Sequence, residues 1–414
     1  MAKKTIDGID VTGRRVLMRV DFNVPLDAGR ITDDRRIAAA LPSIRSVVDR
    51  GGRLVLMSHL GRPSGTGFEP AFTLRPTATR LGELLNRPVG FADDCIGPAA
   101  DAAVQDLVDG GALILENLRF HAAETLFDKA GKNPGGAPTV DQRARIDAFA
   151  AALCAHADLY CNDAFGTCHR RHVSMFDVPN RLGAGRRVCG ALVEKELRFL
   201  GDALRRPVRP FVAVLGGAKV SDKIGVIENL LTRVDAILIG GAMAYTFLAA
   251  GGMRIGGSLC EPDRLELARK LMSSAGEKLR LPVDSVCGRS SVDLGPTRVV
   301  DRDIDDGWAG FDIGPRTVAV YRDLLATART IVWNGPMGVF ETPPFDRGTL
   351  AVAQALAAAT ANGATTIIGG GDSAAAVDAA GLAEKMTHMS TGGGASLKFL
   401  EGAPFAAIEL LDDA

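Results

Sequence analysis

The chain repeats one rhythm: a short run of valine, isoleucine and leucine, then a polar or glycine-rich loop, then a stretch with helical spacing. Apolar runs without alternation are what strands covered on both faces require, so the rhythm predicts an α/β fold with parallel sheets. In the first half the strand runs are 16–20, 54–57, 113–115 and the weaker 159–161, ending in DFN, SHLGRP, ENLRFH and NDAFGTCHRRH. In the second half they are 211–215, 236–239, 331–333 and 365–368, ending in GGAK, GGAMAY, NGPMGVF and GGGDS. Ligands of open α/β sheets sit beyond the carboxyl ends of the strands, so each half is expected to carry a binding face. Between the halves, Val193, Leu197, Leu200 and Leu204 recur at three- and four-residue spacing and predict an amphipathic connector helix. Pro207 and Pro210 punctuate the approach to the next strand, and 129–138 (KAGKNPGGAP) reads as an exposed loop.

Composition narrows this picture. A length of 414 residues exceeds what one hydrophobic core usually serves and predicts at least two domains. With 47% apolar and 23% charged residues the chain is an ordinary globular protein. Its net charge of -1 argues against a broad footprint for nucleic acid or an anionic membrane, so any anion site must be focused. Seven cysteines (Cys95, Cys154, Cys161, Cys168, Cys189, Cys260, Cys287) without a C-x-x-C pair suggest reduced intracellular thiols rather than a disulfide frame or a zinc site. The opening MAKKTIDGIDVTGRR has no apolar core, so no secretory signal is expected. The uncharged stretch 348–371 is read as an Ala-rich helix, an Asn-Gly turn and a buried strand rather than a membrane span.

The loops then divide by chemistry. The first half gathers Arg36, His59, Arg62, Arg119, His169 and Arg170 at strand ends, a convergence suited to a small polyanion because the arginine fork matches phosphate and carboxylate oxygens. Asp21 and Asn23 lie among these cations and can hydrogen-bond a substrate hydroxyl, although both residue types are also common in turns. The second half supplies GGAKVSDK (216–223), GGGDS (369–373) and STGGGAS (390–396). Glycines let backbone amides approach phosphate oxygens, and a following helix start adds its dipole. No G-x-x-x-x-G-K-[ST] stretch is present, and protein-kinase signatures are missing. Lys219 and Lys223, four apart, are expected on one helical face toward a phosphate chain, and Asp372 is the carboxylate best suited to Mg²⁺.

Taken together, RVDFNVP, SHLGRP, ENLRFH, NDAFGTCHRRH, EKELRFLGDAL, GGAKVSDKI, WNGPMGVFE, GGGDS and STGGGASL resemble the phosphoglycerate kinase family in the family's own order along the whole chain. The resemblance implies two Rossmann-like domains with parallel sheets, joined by a helix, with the active site in the cleft between them. It implies a 3-phosphoglycerate domain over 1–190, onto which a tail at about 400–414 returns, and a nucleotide domain over 191–399. By the same resemblance Asp21, Asn23, Arg36, His59, Arg62, Arg119 and Arg170 would hold 3-phosphoglycerate. Lys219 would lie beside the transferring phosphoryl group and Lys223 on the nucleotide phosphates. Gly217, Ala218, Gly240, Gly241, Gly314, Asn334, Pro336 and Val339 would line the nucleotide slot, and Glu341 would take the ribose. Asp372 would ligate Mg²⁺, with Gly371, Ser373 and Gly392, Gly393 and Gly394 on phosphates; Arg36, Lys219 and the last three glycines would share the catalytic work.

The resemblance further implies ATP/ADP and 3-phosphoglycerate or 1,3-bisphosphoglycerate as partners, a cytoplasmic monomer, and hinge movement near the 193–204 helix. Some positions depart from the family pattern. Arg171 replaces a small residue, and VSMFDVP follows where the family prefers a smaller serine-containing loop. Gly257 stands where lysine is common, GRSS (288–291) replaces a more acidic stretch, Lys398 replaces a common glutamate, and 128–146 is long. A catalytically silent nucleotide-binding scaffold would be expected to lose Arg36, Lys219 or Asp372, and all three are present. A different carboxylate kinase need not keep Asp21, Arg62 and Arg170.

Overall fold

The computed structural model describes residues 2–292 and 295–414, and the chain divides into two compact units. Unit 1 runs to Leu197 and includes Pro404–Ala414; unit 2 is Arg198–Ala403.

Among the described residues of unit 1, a six-stranded parallel sheet comprises β1 (Arg15–Val20), β2 (Arg53–Met57), β3 (Gly90–Ala92), β4 (Ala112–Leu115), β5 (Leu159–Asp163) and β6 (Arg187–Cys189), in the order β3-β4-β2-β1-β5-β6. Val16 on the central β1 pairs with Leu54 on one side and Leu159 on the other. Val16, Met18, Val20, Leu54, Leu56 and Ile114 pack with Ile37, Ile44 and Val47 of helix α1 (Arg35–Val48). Each such side chain contributes roughly 1.5–3 kcal/mol by leaving water, most of it offset by lost chain entropy. Helices α2 (Pro98–Gln105) and α3 (Val140–Cys154) follow β3 and the 122–138 turns, and Thr139 caps α3 through a reciprocal pair with Gln142.

Helix α4 (Ala191–Arg205) covers the predicted connector and carries the division between the units within it. Its start is held from β5. Asp163 Oδ1 accepts from Leu192 N (2.9 Å) and Val193 N (3.2 Å), and Ser43 Oγ accepts from Ala191 N (2.7 Å). Gly190 lies so close to the Asp163 carboxyl and Ser43 that a Cβ has no room. A helix N-terminus favours an ionised carboxylate, but here burial wins and pushes Asp163 up to about 7.

In unit 2 the second six-stranded parallel sheet joins β7 (Phe211–Leu215), β8 (Ala236–Ile239), β9 (Leu279–Arg280), β13 (Thr330–Asn334), β14 (Thr365–Gly369) and β15 (His388–Met389), ordered β9-β8-β7-β13-β14-β15. Its core gathers Val212, Val214, Ile331, Trp333, Ile368, Tyr321 and Leu356. The eight predicted strands all form. The short β3, β6, β9 and β15 were not readable, because two or three residues carry no periodicity. Beside the two parallel sheets, which match the expected fold, stands an antiparallel sheet of β10 (Ser285–Gly288), β11 (Arg298–Val300) and β12 (Ala309–Ile313) that the sequence did not announce. Its strands mix Ser, Cys, Gly and Arg and present no apolar run.

Helices α5 (Ile224–Leu231), α6 (Pro315–Thr327), α7 (Arg347–Ala361), α8 (Gly371–Ala379) and α9 (Gly394–Leu400) pack around this frame. The uncharged 348–371 stretch resolves into α7, a turn at Gly363 and β14. No helix among the described residues is long and apolar enough to cross a membrane.

The stability of the neutral Asp163 carboxyl has a definite sign. In the fold it keeps its proton up to about pH 7, whereas an unfolded aspartate loses it near about pH 4. Its contribution is therefore complete below about pH 4 and disappears as the pH rises through about 7. Asp163→Asn keeps the acceptor for Leu192 and Val193 and does not titrate. In denaturant titrations the wild-type chain is expected to lose roughly a few kcal/mol relative to this variant between about pH 4 and 7; identical pH slopes would contradict the assignment.

Candidate active site

The carboxyl ends of β1, β2 and β4 bring the first set of predicted residues together. Asp21, just after β1, accepts from Arg36 of α1 (Nη1 to Oδ1, 2.8 Å). Asn23 Oδ1 accepts from Gly61 N after β2 (2.8 Å), and Arg119 Nη1 after β4 donates to Gly61 O (2.7 Å). Arg119 is held below its ordinary value by burial and then by Arg19, with Arg170 adding further like charge. Arg62 and Arg170 are exposed, and Arg170 stands 3.9 Å from Asp128. His169 is half-buried, with its ring 6.5 Å from that of Phe405.

Beneath this cluster lies a buried polar chain that the loop-centred reading missed. Arg19 of β1, wholly buried, donates through Nε to Ser174 Oγ (2.9 Å), which donates to Glu124 Oε1 (2.6 Å). His172 sits between Glu124 (3.7 Å) and Asp128 (3.2 Å). Arg19 Nη2 also faces His59 Nδ1 at 3.2 Å. A guanidinium can only donate, so Nδ1 accepts and the ring proton resides on Nε2. Burial and then the charges of Arg19 and Arg119 push His59 well below its ordinary value. His59 is a neutral donor here, not the extra cation the sequence suggested. The signal was present: a charge inside the run VLMRV is a buried charge needing a partner.

In unit 2 the ends of β7, β8, β13 and β14 meet backbone to backbone. Gly217 N donates to Pro336 O (3.0 Å), Gly216 N to Asn334 O (3.0 Å), and Gly241 N to Met337 O (2.8 Å). Gly241 has φ +66 and its absent Cβ would strike the Gly217 backbone, so only glycine serves there. Gly240 is packed against Met337 in the same way. Ser373 Oγ, in the first turn of α8, accepts from Gly335 N (2.6 Å), and Ser390 Oγ accepts from Gly392 N (3.2 Å). Gly393 and Gly394 lead directly into α9.

Lys219 and Lys223 do not share a helical face: 217–223 is a series of turns, and Lys223 is the residue before α5. Three glycine-loop backbone contacts occupy the chain there before the helix can start. Lys223 is buried and donates to Asn334 Oδ1. Burial lowers it to about 8 against the opposing pull of Asp222, Asp372 and Glu401. Ala218, Lys219, Glu341, Gly371 and Asp372 are exposed. Val339 N donates to Phe311 O of β12 (2.9 Å), and Gly314 directly follows the end of β12 at Ile313. Gly314 has a packing duty: its missing Cβ leaves space for Asp284, which caps α6 at Arg316 N (2.9 Å) and Thr317 N (2.8 Å).

The family model of phosphoglycerate kinase matches residues 6–403. The chain belongs to the phosphoglycerate kinase family. It is 55% identical to the phosphoglycerate kinase of Rhodopirellula baltica and 53% to that of Chlorobaculum tepidum, with both chains fully covered in each comparison. The solved phosphoglycerate kinase from Coxiella burnetii superposes with a TM-score of 0.85 at 38% identity, covering 99% of this chain and 98% of the other. That from Pyrococcus horikoshii gives 0.80 at 32% identity, with the same coverage. Phosphoglycerate kinase is a phosphotransferase with a carboxyl group as acceptor, and its reversible reaction takes a phosphoryl group from 1,3-bisphosphoglycerate to ADP in glycolysis.

Against the phosphoglycerate kinase pattern, Arg171 has a local explanation. Its guanidinium lies between the rings of Phe127 (3.6 Å) and Phe176 (4.1 Å), and its backbone N donates to Asp128 Oδ1 (3.0 Å). The unusual arginine, the phenylalanine of VSMFDVP and the long segment near 128 are thus one packing unit. Lys398 pairs with Glu401 at 2.6 Å, while Gly257 has ordinary space around its Cβ position. In the GRSS stretch, Gly288 leaves no room for a Cβ against Phe345, and the Arg289 guanidinium lies over the Trp308 ring at 5.6 Å. Arg171→Ala is expected to cost about 1–2 kcal/mol in denaturant unfolding by removing both cation–π contacts. Phe127→Leu in that background should then cost less than it does in the wild type, and a purely additive pair would refute the stacking.

Proposed function

We propose that unit 1 binds 3-phosphoglycerate or 1,3-bisphosphoglycerate and unit 2 binds ADP or ATP. The observation that carries this is the hydrogen-bonded set Asp21–Arg36 and Asn23–Gly61–Arg119 at adjacent strand ends, above the Arg19 charge. Arg36, Arg119, Arg62 and Arg170 match the phosphate and carboxylate of a three-carbon acid, while Asp21 and Asn23 suit its hydroxyl and His59 donates from Nε2. On the nucleotide side, the loops at Gly217, Ala218, Gly240, Gly241, Gly314, Asn334, Pro336 and Val339 form the base slot, with Glu341 toward the ribose. Lys219, Lys223, Gly371, Ser373 and Gly392, Gly393 and Gly394 attend the phosphates.

The acceptor carboxylate is ionised near neutral pH, so the reaction needs no general base, in keeping with a neutral, buried His59. Arg36 and Lys219 neutralise charge on the transferring group, and the glycine amides orient its oxygens. Asp372 suits Mg²⁺: it is an exposed hard-oxygen donor in the first turn of α8, electrostatically coupled to Lys223. Bound with nucleotide, Mg²⁺ supplies further charge neutralisation at the phosphates. The protein works as a cytoplasmic monomer, with neither nucleic acid nor membrane as a partner; the net charge of -1 supports that reading.

The assay is Mg²⁺-dependent ATP formation from ADP and 1,3-bisphosphoglycerate; folded protein without turnover would defeat the proposal. Arg36→Ala and Lys219→Ala should lower kcat far more than nucleotide affinity, and equal losses would contradict their role. Arg170→Ala should weaken 3-phosphoglycerate binding by about 1.5–3 kcal/mol.

Lys223 adds a pH dependence. It loses its proton near about pH 8 in the ligand-free fold, and only its charged form attracts phosphate. Calorimetric nucleotide affinity should therefore fall as the pH rises through about 8, and Lys223→Arg should flatten that fall. An arginine variant with the same pH profile would remove Lys223 from the phosphate contacts.

A further inference from the structure

At the edge of unit 1's sheet, Asp94, Cys95 and His121 bring an oxygen, a sulfur and a nitrogen donor within 4.8 Å of one another. None of the three has a part in the phosphoryl-transfer site described above. Asp94 and Cys95 follow β3, and His121 follows β4 after the Leu118–Phe120 turn, so the group sits at the strand ends where α/β sheets hold ligands. His121 Nε2 and Asp94 Oδ1 are 2.6 Å apart, and the same oxygen accepts from Cys95 N (2.6 Å). The imidazole is fixed by stacking on Phe149 of α3, with centroids 5.2 Å apart at 27°.

Exposure grades across the group. Cys95 is fully buried, whereas the side chains of His121 and Asp94 are 29% and 48% exposed. The sulfur thus forms a floor, with the harder donors at an open mouth. Three donors with one side facing solvent match the arrangement in which a metal keeps a position for water.

We propose that Asp94, Cys95 and His121 form a zinc(II)-binding site with an open fourth position. A mixed O, N and S set suits this borderline-soft ion, while the sulfur disfavours Mg²⁺ and Ca²⁺. Zinc bonds of about 2.0–2.3 Å in tetrahedral geometry set the donors roughly 3.3–3.8 Å apart. Zinc binding then requires the Asp94–His121 contact to open by roughly 0.7–1 Å and any donor pair lying near the 4.8 Å limit to draw in by about 1 Å, side-chain adjustments in opposite senses around one centre. Without an ion the buried Cys95 thiol stays protonated, since desolvation and then the Asp94 charge push it well above its ordinary value. On binding, the S–H bond breaks, the sulfur pair bonds the zinc and the proton leaves to solvent. The His121 proton moves to Nδ1 so that Nε2 can coordinate. No redox change occurs, and one proton is released per ion. The sequence gives no zinc pattern because Asp94 and His121 lie 27 residues apart on separate strand ends.

Chelator-treated full-length protein titrated with Co²⁺ alone tests this by absorbance. One equivalent should produce a thiolate-to-cobalt band that Zn²⁺ bleaches, with apparent affinity weakening on acidification. The band should vanish in Cys95→Ala, and affinity should fall about 100-fold or more in His121→Gln and Asp94→Asn. Oxygen-only binding without the band overturns the proposal. So does a band that survives in Cys95→Ala, which would point to half-buried Cys154 or Cys260. If Cys95→Ala fails to fold, the partly exposed His121→Gln decides: an unaltered titration there is equally fatal.

Discussion

Both large sheets are covered on both faces, and that constraint governs where this protein can place its chemistry. Strand β1 pairs on both edges and is apolar above and below, so polar side chains are tolerable only where the strands end. Arg19 is the exception. A lone guanidinium in that position would cost several kcal/mol, and Ser174 with Glu124 supplies the buried counter-charge. The same guanidinium sets the tautomer of His59, so the floor beneath the cationic cluster is fixed by the core.

On the proposed division of ligands, the two units would meet the problem of phosphate recognition with different materials. Unit 1 uses long side chains, tied down by hydrogen bonds to Asp21 and to the backbone at Gly61. Unit 2 uses the backbone itself, with loops in contact through Gly216, Gly217, Gly241 and Gly335, where added side chains would force the strand ends apart. Side chains can follow a small acid of varied charge; packed backbone offers a fixed array of amides, which a repeating phosphate chain fits.

The fold was legible wherever apolar runs were long enough, as at 16–20 or 211–215, and illegible in β11 and β15, where the strand is defined by its neighbours. The cationic residues were legible as a set because arginines after successive strands have few other reasons to coincide. The buried partners were less so. Arg19 was visible as a charge in an apolar run, but Glu124 and Ser174 come from loops distant in sequence and only the fold joins them. The helical spacing of Lys219 and Lys223 misled, because glycine-loop contacts override a local four-residue pattern. Asp284 beside Gly314 shows the reverse case, a glycine whose packing role was hidden behind a binding one.

Pro404–Ala414 belongs to unit 1 although all of unit 2 separates it from the rest of that unit. Lys3 Nζ donates to Leu411 O (2.8 Å), Asp412 N to Arg187 O (2.9 Å), and Arg187 pairs with the Asp412 carboxylate (3.2 Å). The edge strand β6 is thus covered jointly by the chain's opening segment, where Cys189 N donates to Lys4 O (2.9 Å), and by residues made after all of unit 2. During synthesis unit 2 can complete its sheet as it emerges, but unit 1 has only the 4–5 segment on that edge until Pro404–Ala414 follow. The half of the protein that begins first is therefore sealed by residues from both sides of the half that follows it.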